Sequence, residues 1–76
     1  MITQNHKALM TKTGEWAHYV GDGTYATSNI PRILAPEATI EGLKNYMINV
    51  EGVPEHLVEE LINKLKLIDI TLTYNG

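Results

Sequence analysis

Apolar positions recur at helical spacing most clearly over residues 54–68, where Leu57, Val58, Leu61, Ile62, Leu65 and Ile68 form one broad stripe. Pro54 suits the first helical position, where its missing N–H and fixed φ cost nothing. Glu55, Glu59 and Glu60 lie toward the positive end of the helix dipole, Lys64 and Lys66 toward the negative end. Glu60 and Lys64 also stand as an i,i+4 pair in the better orientation. An earlier stretch, 37–50, repeats the pattern more narrowly through Ile40, Leu43, Met47 and Val50. Thr39 is its expected N-cap and Gly52 its end, while Gly42 within it suggests a close backbone approach. Glu51 opposes the dipole at that end. The short link through Gly52 and Val53 predicts an antiparallel helical hairpin.

Elsewhere the period is two. Residues 7–12 read as a strand, although 4–12 also fit a short helix, and Thr13-Gly14 marks a turn. Residues 15–20 and 24–28 favour a pleated sheet, joined by the hairpin cue Asp22-Gly23. A two-residue turn at Thr13-Gly14 sets Lys12 opposite Glu15; the second turn sets Val20 opposite Tyr25 and His18 opposite Thr27. That register places Ala8, Met10, Ala17, Tyr19 and Ala26 on one face, and Leu9, Trp16, His18, Val20, Tyr25 and Thr27 on the other. Neither is plainly polar, so the covered side stays open. Pro31 and Pro36 bracket a connection in which a regular helix is disfavoured and an edge strand over 32–34 is allowed. Residues 69–74 alternate Ile70, Leu72 and Tyr74 with Thr71 and Thr73, a last strand with one apolar face. The predicted fold is a single α+β domain over 1–76, β-β-β-α-α-β, with a mainly antiparallel sheet and a two-helix hairpin on one face.

Composition narrows the function. A chain of 76 residues forms a thin core, and with no Cys it has neither disulfide nor thiolate ligand to reinforce it. Regular packing or a partner subunit must supply the stability. No window approaches a membrane span, and the first residues lack the shape of a signal peptide, so a cytoplasmic location is expected. Of the formal net charge of −3, the excess acid falls in the second half, with Glu37, Glu41, Glu51, Glu55, Glu59, Glu60 and Asp69 against Lys44, Lys64 and Lys66. That distribution argues against direct nucleic-acid binding.

The chemistry-bearing residues do not assemble into a motif. His6, His18 and His56 show no metal-ligand spacing; His56 and Glu60 share a helix face but are two ligands where a closed site needs four. Gly21-Asp22-Gly23 begins a phosphate fingerprint, but strand follows where a helix is required. Ser28 lies outside any nucleophile elbow, and Glu59 and Glu60 diverge around a helix. No enzyme, metal or cofactor is therefore expected. One Trp and four Tyr remain, residues that carry a polar tip and favour interfaces. If the Ala-rich face receives the helices, Trp16, His18 and Tyr25 form a recognition patch edged by Lys7; the alternative puts Trp16 in the core beneath them. Arg32 in the proline-bracketed loop and the acidic turn of Glu55, Glu59 and Glu60 complete the partner-binding set.

The expected function is a small non-enzymatic protein-binding module, an inhibitor or adaptor of a larger macromolecule. In profile, short, acidic, Cys-free and α+β, the chain is similar to the small proteins with which phages block host defence or nucleic-acid enzymes. A homo-oligomeric structural subunit, as a homodimer, is one alternative; a small-ligand domain using His18 and Tyr25 is another.

Overall fold

The computed structural model describes residues 1–75. The element order is β1 (Ile2–Thr11), β2 (Trp16–Gly21), β3 (Thr24–Ser28), α1 (Ile40–Asn49), α2 (Glu55–Lys64) and β4 (Leu65–Tyr74). The strands form one antiparallel sheet in the order β3-β2-β1-β4, so the α+β architecture read from the pattern is the one found.

Several of its details differ from expectation. The helix read over 54–68 stops at Lys64, and β4 starts at the next residue. Leu65, Leu67 and Ile68 fit either period. Ten-residue β1 offers their backbone a partner, and Thr11↔Leu65 through Ile2↔Tyr74 pair without interruption. The first hairpin is another case. Its loop has three residues, since Thr11 N–H donates to the Glu15 carbonyl at 2.7 Å and Gly14 takes φ +98°. This is the turn-plus-bulge loop, in which the left-handed position suits glycine. Lys12 consequently sits in the loop, and its N–H donates to the Lys64 carbonyl at 3.1 Å instead of facing Glu15 across a ladder.

The second hairpin does use Asp22-Gly23, at φ +52° and +76°, the signs of a type I′ turn. A register shift between Tyr19 and Gly21 then sets Tyr19 opposite Tyr25 and His18 opposite Ala26. Each hairpin is thus one residue out from the simplest register, and a one-residue slip moves side chains to the other face.

The core is Leu9, Ala17, Met47, Val53, Val58, Leu61 and Leu65, with Tyr19, Tyr25, Leu34 and Leu67 packed against it. The helices therefore cover the odd-numbered face. Ala8, Met10, Trp16, His18 and Ala26, with Ile68, Ile70 and Leu72, lie on the other. Thr39 caps α1 as expected, its hydroxyl accepting from the Gly42 N–H at 2.9 Å. Gly42 answers to that cap: a Cβ there would meet Thr39 Oγ1 at 3.2 Å, and no second backbone approaches. Of the two apolar stripes, Met47 and Val58 are fully buried, whereas Val50 and Leu57 remain exposed.

β2 leaves β1 after Ala17, and the proline-bracketed strap fills the gap. Leu34 bridges Lys7, with Leu34 N–H donating to the Lys7 carbonyl at 2.8 Å and Lys7 N–H to the Leu34 carbonyl at 3.3 Å. Beyond this point β1 and β4 continue as a two-stranded arm, and the molecule measures 44 × 25 × 16 Å.

Candidate functional site

Strand alternation turns the even-numbered side chains of the sheet away from the helices, and the strap approaches that face at His6 and His18. Trp16 stands there in a row with Ser28 on β3 and Met10 on β1, and Met10 is in turn opposite Lys66 on β4. Trp16 is half-buried and faces away from the helices, so it is not a core residue beneath them. His18 follows on the same face, also half-buried. Ala8, on the same face and opposite Ile68, is completely buried. Along β4 the face continues through Ile68, Ile70, Leu72 and Tyr74, and along β1 it ends in Ile2.

Tyr25 does not join Trp16 and His18. The bulge after Tyr19 turns it to the covered face, opposite Tyr19 and against the core. The three-residue patch expected from the simplest register is therefore a pair.

Arg32 is exposed on the strap and borders two hollows. One, of about 400 Å³, lies against His18, Ile30 and Pro31. The other is a cavity of about 410 Å³ where β1 and β2 part, floored by Leu9, Ala17, Leu34, Leu43 and Leu67, with His18, Arg32 and Glu37 also in its wall. An apolar lining with a few polar groups is the usual make-up of a ligand cleft of this size.

The acidic turn of α2 is divided. Glu55 and Glu60 are exposed, but Glu59 Oε1 lies 2.6 Å from Lys44 Nζ on α1. That contact with Glu59 raises the Lys44 pKa. Glu60 and Lys64 border one shallow hollow without forming an ion pair. Among the described residues no three of His, Asp or Glu gather as metal ligands.

A polar cluster that the pattern did not disclose holds the β2–β3 turn. The Tyr19 hydroxyl donates to Glu51 Oε1, Asp22 N–H donates to Glu51 Oε2 at 3.1 Å, and Gly23 N–H donates to the Tyr19 oxygen at 2.7 Å. Glu51 sits badly for the α1 dipole because its carboxylate serves the Asp22 amide of the type I′ turn and the Tyr19 hydroxyl instead. Burial, and then the bond to Glu51, hold the Tyr19 hydroxyl above its ordinary pKa of 10.0. The sequence signal for this cluster was the acidic residue at the wrong helix end. Its ties are internal, and we read it as a clamp between α1 and the hairpin.

No family model matches the chain, and comparison with curated proteins and with solved structures finds no match to it.

Proposed function

We propose that the protein is a non-enzymatic binding module, an inhibitor or adaptor that presents the open face of its sheet to a protein partner. One observation carries this reading: Met10, Trp16, Ile68, Ile70 and Leu72 share the face of the sheet opposite the helices, and none of them belongs to the helix-side core. Aromatic and long apolar side chains exclude water from a contact, and Trp is over-represented among residues that dominate binding energy. Lys66 and His18 would rim the contact, with exposed Arg32 beside it. Glu55 and Glu60 offer a second, acidic contact on the far layer. Among the described residues no helix is long and apolar enough to cross a membrane, and the narrower form of the proposal is a cytoplasmic, phage-type inhibitor of a host defence or nucleic-acid enzyme.

Affinity capture from the source cell's lysate tests it. The wild-type chain is expected to retain one protein reproducibly and a Trp16→Ala/Met10→Ser variant to lose it. Capture of nothing reproducible, or equal capture by both, would sink the reading.

The cavity beneath the strap favours a second reading, a small-ligand domain, with His18 and Arg32 as polar contacts but without Tyr25. Screening small apolar acids by NMR checks it. Shifts confined to Leu34, Leu43 and Leu67 would support it, and shifts in none of them would remove it.

A further inference from the structure

The outer edge of β4 carries backbone groups whose direction can be worked out. Lys7 exchanges both of its backbone hydrogen bonds with Leu34, on the side of β1 away from β4, whereas Lys12 N–H turns the other way to Lys64. Backbone polar groups alternate sides along an antiparallel strand. Even-numbered residues of β1 therefore pair with β4, and the register Lys7↔Asp69 carries that parity across. It follows that the odd-numbered residues of β4 turn their N–H and C=O outward. Leu65 already gives its N–H to Ile62. Leu67, Asp69, Thr71 and Thr73 are left, on a strand that closes the sheet on this side.

We infer that this edge pairs with the same edge of a second copy, antiparallel and centred on Ile70. A two-fold axis normal to the sheet keeps even-numbered residues on one face in both copies, so each possible register is centred on a residue. Only with Ile70 at the centre do the four outward residues map onto themselves: Leu67 meets Thr73, and Asp69 meets Thr71. Centred on Asp69, two carboxylates would face each other, and like charges directly opposite are destabilising. Centred on Ile68, Thr73 is left without a strand partner.

Side chains agree with the backbone. In this register Ile68 lies opposite the partner copy's Leu72, Ile70 opposite its own counterpart, and Lys66 opposite Tyr74, whose ring suits a cation. The helices back the Leu65 end of β4 and not the arm, so antiparallel pairing sets each arm beside the helix-backed end of the other copy. Such a contact is isologous and closed, which ends assembly at the dimer. It also resolves an otherwise exposed ten-residue edge strand, a feature single chains seldom leave bare. The open face stays accessible and becomes continuous across both copies.

The chain has no Cys, so single cysteines report the register cleanly. Opposed residues of an antiparallel pair have Cβ atoms about 4.5–5.5 Å apart, within reach of a disulfide after modest adjustment. The full chain is expected to sediment as a dimer at micromolar concentration. Ile70→Cys is expected to cross-link on mild oxidation, Leu72→Cys alone not to, and an equimolar mixture of Leu72→Cys with Ile68→Cys to do so. Thr71→Pro removes an N–H that is unused within one chain, and edge strands tolerate such a proline; it is expected to be monomeric with an unchanged circular dichroism spectrum. A monomeric wild type, a folded Thr71→Pro that remains dimeric, or cross-linking by Leu72→Cys as fast as by Ile70→Cys would each overturn the pairing. A monomeric wild type that still captures a protein through Trp16 would overturn it while leaving the partner reading intact.

Discussion

The β1–β4 ribbon is one uninterrupted ladder, yet its two ends stand in different surroundings. At the Thr11↔Leu65 end, Leu9, Leu65 and Leu67 meet the helices, and the pairs there are part of a core. At the Ile2↔Tyr74 end, Thr3, Asn5, Thr71 and Thr73 occupy the face that the helices would otherwise cover, and the apolar side chains all point the opposite way. Ile2 is 53% and Tyr74 45% exposed, where Leu65 is 3% exposed. The same strand pair is thus scaffold at one end and surface at the other. A two-stranded ribbon is marginal by itself, so the arm takes its order from the ladder it extends.

The difference can be broken by mutation. Met47→Ala empties a fully enclosed site of the helix-backed end and is expected to lower stability by about 2–5 kcal/mol, measured by urea unfolding. Leu72→Ser in the arm is expected to cost about 1 kcal/mol or less at dilutions where the chain is single. Equal losses from the two would erase the distinction.

The clamp lies on the covered side of the sheet. Glu51→Ala leaves the Tyr19 hydroxyl and the Asp22 N–H without their acceptor, and a loss of about 1–3 kcal/mol is expected. Its pH signature has a definite sign. The Tyr19 pKa is raised in the folded chain, so above pH 10.0 the folded state keeps a proton that the unfolded chain releases. Stability is then undiminished below that pH and falls as pH climbs through it. Glu51→Ala should flatten the fall, and an unchanged alkaline slope would dismiss the clamp. The smallest effect is expected from Lys44→Met, which removes a surface ion pair with Glu59; the unfolding midpoint at moderate salt should not move.

Much of this architecture was legible in the chain because most segments carry one period only. Asp22-Gly23, Thr39 and the stripe through Val58 and Leu61 each demand one local structure. Where two structures satisfied the same residues, the pattern could not choose. Leu65, Leu67 and Ile68 serve a helix or a strand, and only the presence of β1 decides. A glycine at position 14 permits a two- or a three-residue loop, and that one residue determines which side chains of β1 share a face with those of β2. The site suffered most, since the bulge after Tyr19 sends Tyr25 to the core side and separates it from Trp16. Leu34's bridge to Lys7 and Glu51's grip on the turn join residues far apart in sequence, and no local pattern encodes them.

The ladder between the first strand and the last also dictates the order of events in folding. Lys7 and Asp69 are 62 positions apart, and every residue pair of the ribbon encloses β2, β3 and both helices between its partners. The hairpins and helices are local and can form early. β1, an interior strand of the sheet, acquires its longer ladder only when β4 arrives. Closing so long a loop is entropically costly and slows folding relative to an all-local topology. On the ribosome, β1 would emerge before β4 and wait for it, held meanwhile by its few pairs with β2 and by Leu34.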